Sequence, residues 1–439
     1  MVSIASTPPF EPHPARDAVL LEAHSRPFFP FSAPARLIGL AFLRGSESAA
    51  SIRARLDAFA RSHGRAPAPE GAKHHRHELP QGLFRWEEHT EFMTFVFLLS
   101  GEKARFDVAA ADLMRQLPLP EQPGPHLVSI DIAFVEPNEA EAALARLRPT
   151  IVSHSTIEGG IAEVASDFAP DEGGFVRFAI VNRGLTDRRL GALARDITEV
   201  EVYRTMALLG LPEAQRIGPV IRDVEQGLAM LTAELVHRQS LADGDALLAR
   251  LTEMTARVES EIARTTFRFG ATRAYAAILN ERLLALGEPA GPTAPAIASF
   301  LQRRNAPALR TCERMEANLA SLAARLTRAS SLLRTRIDVE LAKQNNALLG
   351  AMNERTQLQL RLQQTVEGLS IAAISYYVVG LVSYLLKGLK DRGLLPLSLD
   401  VAVALSVPLI ILVMAFVIRR IRKIHVRKET DQSLSPRDL

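Results

Sequence analysis

LSIAAISYYVVGLVSYLL (369–386) and LDVAVALSVPLIILVMAFVI (399–418) are the two stretches that decide the architecture of this chain. A helix needs about 20 apolar residues to cross the hydrocarbon core of a bilayer. The second stretch has that length, and the first is close enough to it for the Lys387 side chain to reach the headgroups. A buried helical hairpin in a soluble core is the alternative, but residues 401–418 lack the polar stripe typical of soluble helices. The sequence therefore predicts a C-terminal two-helix transmembrane hairpin.

The charges beside these two spans predict the orientation of the chain. A basic tail, residues 419–439, follows the second span, whereas the loop between the spans carries fewer cations together with an acid. Short positively charged segments stay in the cytoplasm, so we expect both termini there. The residues expected to set the topology and to contact membrane lipids are Arg419, Arg420, Arg422 and Lys423.

The N-terminal part of the chain shows no signal for export. Residues 1–36 are rich in Pro and charge and lack the continuous apolar segment of a signal peptide. Cys312 is the single cysteine, so no intrachain disulfide can form and a reducing compartment is compatible. We expect the soluble part to lie at the inner face of a bacterial plasma membrane.

The residues before the spans divide into two regions by composition. In residues 1–185, strand-like stretches alternate with a helical stretch and polar connectors, which predicts an α+β or α/β cytoplasmic domain. The strand candidates are 35–43, 84–99, 126–135 and 174–181; the helix candidate is 51–62, and the connectors are 65–80 and 117–125. Residues 186–368 are rich in Ala, Leu, Glu and Arg without strand signals, which predicts a long-helix bundle or stalk.

The last helix of the second region is expected to continue into the first span. Pro307 suits a first helical position, after a turn at residues 287–292, and no other proline follows before the membrane. Apolar residues recur with helical spacing at Leu341, Leu348, Met352, Leu358, Leu362, Val366 and Leu369. This seam fits either an intramolecular bundle or the coiled-coil stalk of a homo-oligomer, and both interpretations stay open.

The first span also carries polar residues on one face. They are Tyr376, Tyr377, Gly380, Ser383, Tyr384 and Lys387, which share a sector of about 120°. Polar groups avoid lipid, so this face is expected to contact protein or water. Close helix packing through Gly and Ser is the simpler interpretation, and a pore lining is the alternative.

The soluble part holds weak candidates for a metal or acid–base site. Glu87, His89 and Glu91 would share one face of a strand, which makes a possible His/carboxylate ligand set. A half-polar strand with cross-strand ion pairs is the simpler interpretation. His24, beside Glu22, could add an acid–base pair or mark a helix end.

Other functional classes are disfavoured by the sequence. His75 and His77 would share one face of an extended segment, which supplies two metal ligands without a third. The chain lacks a Gly-rich phosphate loop, an HExxH motif and a GxSxG motif, so its cofactor is unknown. No basic stripe with interleaved aromatic residues is present, which disfavours nucleic acid as a partner.

Several motifs resemble those of a family of bacterial membrane-anchored proteins of unknown function. They are Glu22-x-His24-x-Arg26-Pro27, Trp86-Glu87-x-His89-Thr90-Glu91-Phe92, Glu199-x-Glu201-x-Tyr203-Arg204, Ala207–Pro212, Arg310-Thr311-Cys312, Gln344-Asn345 and Leu360–Gly380. Val202 stands where the family pattern has threonine. The resemblance covers nearly the whole chain and implies a membrane anchor, but it implies no activity.

The order of the parts is similar to that of CorA-type magnesium channels. The Gly-Met-Asn signature that follows the first span in those channels is absent, and the loop 387–392 is net positive, which disfavours cation entry. We therefore expect an oligomeric, non-enzymatic membrane-anchored protein whose cytoplasmic domain binds a protein or a small ligand. A CorA-like ion channel and a metal-dependent enzyme are the alternatives.

Overall fold

The computed structural model describes residues 13–16, 28–147, 153–237, 241–286, 295–391 and 398–433. The chain divides into two compact units, residues 1–331 and 332–439. The first holds a mixed α/β sheet domain followed by long helices, which confirms the expected fold class in outline. The turn expected at residues 287–292 lies outside the described residues.

The first unit is built on a sheet that has eight strands among the described residues. They are β1 (Ala35–Leu43), β2 (His74–Leu79), β3 (Gly82–Glu88), β4 (Phe92–Ser100), β5 (His126–Val135), β6 (Ser153–Ile157), β7 (Ala162–Pro170) and β8 (Val176–Asn182). Their order is β2-β3-β4-β1-β5-β8-β7-β6. Neighbours are antiparallel except β5 and β8, so β1 and β5 join two three-stranded meanders.

The prediction of a polar connector at residues 65–80 is wrong, because β2 lies within it and pairs with β3. β2 is an edge strand that buries only His77 and Leu79, and its exposed residues are polar. Edge strands need few apolar residues, so composition alone does not reveal them. Residues 84–99, predicted to hold one or two strands, contain most of β3 and most of β4.

Helices cover both faces of the sheet. On one face lie α1 (Ala49–Ser62), α2 (Ala110–Met114) and α3 (Ala140–Ala145), and on the other lies α4 (Asp187–Leu208). The central strand β1 is buried on both faces: Leu37 packs in the cluster that contains α4, and Ile38 packs in the cluster that contains α1. This two-sided burial explains why β1 is apolar on both faces apart from Arg36.

One buried ion pair ties β1 to β5. The guanidinium of Arg36 donates to both carboxylate oxygens of Asp131 at 2.7 and 2.9 Å. Its remaining nitrogen donates to the carbonyl oxygens of Arg105 and Val108 at 2.7 and 2.9 Å. Because every donor group finds an acceptor, the charge is tolerated in the core.

Four long helices follow the strands in the described part of the chain. They are α4, α5 (Gly210–His237), α6 (Leu241–Ala285) and α7 (Ile297–Asp391), and α8 (Leu399–Ser433) ends the chain. The prediction that the last long helix begins near Pro307 is wrong, because α7 begins ten residues earlier and contains that proline. Ile297 and Leu301 are buried in the core, and their burial offsets the roughly 3 kcal/mol cost of an internal proline.

Two helices in the described residues, α7 and α8, are long and apolar enough to cross a membrane. Their most apolar windows have mean hydropathies of 1.9 and 2.5, and 6% and 0% of those windows are buried within the chain. Helix α7 continues without a break into the first candidate span, as the sequence predicts.

Candidate functional site

A cavity of about 70 Å³ lies between the sheet and α4 in the first unit. Strands β3, β4 and β1 form its floor, α4 forms its roof, and the segment Phe28–Phe31 lies along its side. Its lining combines aromatic and aliphatic side chains with charged groups from both walls. The charged and imidazole groups are Arg85, Glu87, His89, Arg195 and Glu199.

The floor becomes more polar along the strands. At one end, Leu83 of β3 pairs with Leu98 of β4, and both line the cavity. Four residues further along β3, Glu87 pairs with Thr94. Alternation along a strand places Arg85 and Glu87 on the cavity side, whereas Trp86 packs on the opposite face with α1.

The turn between β3 and β4 positions His89. Its backbone N–H donates to the carbonyl oxygen of Phe92 at 2.9 Å, and its ring stacks on the Phe92 ring with the centroids 4.1 Å apart. The Nε2 atom lies 3.8 Å from a carboxylate oxygen of Glu87. Glu87 also forms a close ion pair with Arg85. A carboxylate, an imidazole and a guanidinium therefore meet at the polar end of the floor.

The roof is one face of α4. Its cavity-lining residues recur at helical spacing: Gly191, Ala194, Arg195, Thr198, Glu199, Val202 and Tyr203. Arg282 of α6 forms a close ion pair with Glu199, while the Nε atom of Arg195 lies 4.0 Å from the same carboxylate. The Glu199 carboxylate is thus fixed by Arg282, which lies on α6 and does not line the cavity.

Gly191 allows the segment Phe28–Phe31 to pass close to α4. A Cβ atom added at Gly191 would lie 2.0 Å from the carbonyl oxygen of Phe29, a separation that no side chain can adopt. The rings of Phe28 and Phe29 then lie about 5 Å from guanidinium groups, Phe28 at 5.4 Å from Arg195 and Phe29 at 5.0 Å from Arg85. The glycine therefore permits the aromatic side wall of the cavity.

Glu91 lies outside the cavity lining and joins the β3–β4 turn to α6. It forms a close ion pair with Arg268 and accepts a hydrogen bond from the Tyr275 hydroxyl at 3.0 Å. Burial raises the pKa of Tyr275, so the hydroxyl remains a donor at neutral pH. The Tyr275 ring stacks on Tyr203 of α4 with the centroids 5.8 Å apart. Helix α6 thus contacts both walls of the cavity.

Of the candidate metal ligands, Glu87 and His89 both line the cavity, whereas Glu91 lies outside it and contacts α6. His24 lies outside the described residues. β3 ends at Glu88, so Glu87, His89 and Glu91 do not belong to one strand face. No group of three or more His, Cys, Asp or Glu side chains in the described part of the chain is arranged to hold a metal ion.

The histidines of β2 do share a face, as their spacing predicts. The rings of His75 and His77 are 4.7 Å apart. Burial, with the charge of His75 and Arg65, lowers the pKa of His77 to about 4. His77 is therefore neutral at pH 7, and its ring stacks at 6.3 Å on Phe84 as part of the core.

Sequence reasoning missed several residues of this site, namely Phe28, Phe29, Arg85, Arg195 and Thr198. The helical spacing of Arg195, Thr198 and Glu199, which places them on one face, could have indicated the α4 residues of the site. Arg204, one turn along the helix from Glu201, donates to the Glu201 carboxylate at 2.8 Å. Two motifs that the sequence singles out, around Glu87 and around Glu199, thus face each other across the cavity.

The polar residues of the first span lie in the second unit. Tyr376, Tyr377 and Tyr384 are exposed, and the Ser383 hydroxyl donates to the Val379 carbonyl at 2.8 Å. Within α8, Arg420 is exposed, and the side chains of Arg419, Arg422 and Lys423 lie outside the description. The roles expected for these residues in packing, pore formation, topology or lipid contact stay predictions.

Comparison with known protein families identifies the chain. The family model described as Protein of unknown function (DUF3422) matches residues 11–425. The chain belongs to this family. The match contains the cavity, the long helices and both candidate spans. No curated protein and no solved structure matches the chain, so the similarity in the order of parts to CorA-type channels gains no support.

Proposed function

We propose that the chain is a membrane-anchored binding protein whose N-terminal domain holds a small, uncharged, amphipathic molecule. The observation that carries this proposal is the cavity between the sheet and α4, where polar groups from both walls converge beside an apolar floor. Binding sites in proteins are typically concave and mostly apolar, with a few convergent polar groups.

The pairing of charges supports an uncharged ligand. Glu87 is paired with Arg85, and Glu199 is paired with Arg282. A charged ligand would have to break one of these pairs or remain unpaired in a poorly solvated site, and both cost free energy. An amide or hydroxyl group can instead hydrogen-bond to His89 or Thr94 while its apolar part lies on Leu83 and Leu98.

Isosteric probes test this proposal. We expect butanamide to raise the urea midpoint of the purified full chain in detergent, followed by the fluorescence of Trp86, the single tryptophan. Butanoate and n-butylammonium should have much smaller effects at equal concentration. Ala194→Leu fills the cavity and should abolish the butanamide effect, whereas Ala320→Leu, at an exposed helical site, should retain it. No butanamide shift in the unmodified chain, or an equal shift in Ala194→Leu, would refute the proposal.

The membrane anchor is the second part of the proposal, with both termini in the cytoplasm of a bacterium. It is supported by two apolar helical segments, one in α7 and one in α8, that are almost entirely unburied within the chain, and by the basic tail 419–439. A reporter active only outside the plasma membrane, fused after Leu439, should be inactive. Replacing Arg419, Arg420, Arg422 and Lys423 with Gln should produce mixed insertion, and an active reporter on the unmodified chain would overturn the orientation.

A further inference from the structure

One face of α7 in the second unit follows an unbroken heptad register. Starting with Leu341 at a d position, alternating steps of four and three residues pass through Leu348, Met352, Leu362 and Val366 and end at Ser383. We call this face the seam. Leu358, which the apolar spacing also includes, lies at a flanking g position in this register. The other a and d positions between Leu341 and Leu369 are apolar except Asn345, Arg355 and Gln359.

The described residues of the chain leave the seam uncovered. Leu348, Leu362 and Leu369 are 61%, 70% and 74% exposed. Burying side chains of this size is worth roughly 1.5–3 kcal/mol each, so a seam of this length would gain substantially from a partner. Leucine alternating with polar positions in heptads is typical of helix pairing.

The seam continues into the first candidate span without a change of register. Tyr376 occupies a d position and is 77% exposed, and Gly380 occupies the following a position. Apart from the adjoining backbone of its own helix, no heavy atom of the described residues lies within 4 Å of a Cβ built on Gly380. The side chain that is buried in this segment, Ser375 at a c position, lies on the opposite side of the helix. The polar face of the span and the apolar seam are thus one surface.

The polar residues in the seam select a second copy of the chain as its partner. Asn345 and Gln359 occupy a positions. In a parallel, in-register pair each amide meets its own counterpart, and an amide carries both donors and acceptors. A polar residue at an a position specifies the register and the oligomeric state, and Val366 at a with leucine at d favours two strands. At Arg355, a d position, the methylene stem covers the seam while the charge reaches solvent.

We propose that the chain forms a parallel dimer in which the seam packs against the same seam of a second copy, from Leu341 to Ser383. At 1.5 Å per residue this stretch is about 64 Å long, and a strip roughly 10 Å wide buries about 650 Å² on each copy. The total of about 1,300 Å² is in the range of stable interfaces. Gly380 and Ala373 at a positions allow the helices to approach closely inside the bilayer.

Disulfide trapping tests the seam on the full chain. In a Cys312→Ser background, Gln359→Cys places a thiol at an a position, and Gln364→Cys places one at an f position on the far side. Oxidation of purified chain in detergent with copper phenanthroline should convert most of the Gln359→Cys protein, and less than a tenth of the Gln364→Cys protein, to a dimer. Equal yields at the two positions, or no dimer at either, would overturn the proposal.

A glycine pair tests the span. Gly380→Leu changes an a position and Gly368→Leu changes a c position; at either site an added Cβ meets no described atom within 4 Å apart from the adjoining backbone of its own helix. In the Gln359→Cys background, Gly380→Leu should reduce the dimer yield several-fold, and Gly368→Leu should leave it unchanged. This step rests on the proposed membrane anchor. Loss of the glycine effect with Gln359 crosslinking intact would restrict the dimer to the part of the seam before the span and contradict the proposal as stated.

Discussion

Substitution of Gly191 gives the sharpest test of how the cavity is built. In Gly191→Ala the new Cβ would lie 2.0 Å from the Phe29 carbonyl oxygen, and real Cβ atoms do not come closer than 3.0 Å to such a neighbour. The backbone of Phe29 must therefore move by about 1 Å. Overpacking of this kind costs about 1–3 kcal/mol, partly offset by the roughly 1 kcal/mol that alanine gains over glycine in a helix.

Gly270→Ala in α6 is the matched control. Its added Cβ would meet only the tip of the Arg273 side chain, at 4.0 Å. The substitution should therefore stabilise the protein by about 0.5–1 kcal/mol. Urea unfolding followed by Trp86 fluorescence should give a lower midpoint for Gly191→Ala and a higher one for Gly270→Ala. Gly191→Ala should also lose the butanamide effect, because Phe28 and Phe29 line the cavity. A Gly191→Ala midpoint equal to or above that of Gly270→Ala would refute the reasoning.

Two further predictions concern buried polar groups of the sheet domain. Arg36→Met leaves the Asp131 carboxylate in the core without its bidentate partner and should lower the free energy of unfolding, measured with urea, by about 3–5 kcal/mol. The double variant Arg36→Met/Asp131→Leu should recover most of the lost stability. A double variant as unstable as Arg36→Met would contradict the role given to this ion pair. The pKa of His77 is lowered to about 4 in the folded state from its ordinary value of 6.5, among His75, His63, Arg65 and Asp57. The unfolded chain therefore binds more protons between these values, so stability falls as the pH drops from 6.5 towards 4, by up to about 3 kcal/mol. In urea titrations at several pH values, His77→Leu should reduce the dependence of stability on pH, whereas His13→Gln, at an exposed site, should not. If stability depended on pH in His77→Leu as steeply as in the unmodified chain, the lowered pKa of His77 would be contradicted.

The long helices and the central strands could be predicted from the sequence because their signals are local. Apolar runs such as those of β1 and β5 reflect burial on both faces, and an 18-residue apolar stretch is visible without any knowledge of its neighbours. Strand β2 escaped prediction because its stability comes from pairing with β3, which no local pattern records. The start of α7 was misplaced for a related reason, since Ile297 and Leu301 gain their stability from a core assembled elsewhere in the chain.

The candidate site depends even more on tertiary structure. The sequence by itself determined which residue types were present, and the motifs around Glu87 and Glu199 were among those that resemble a known family. Only the packing of α4 on β3 and β4 decided that these motifs line one cavity, that Glu91 instead contacts α6, and that Phe28 and Phe29 form the side wall. The physical reason is that helical and strand periodicity reveal which face of an element is buried, whereas the partner of that face depends on contacts between residues that are far apart in the chain.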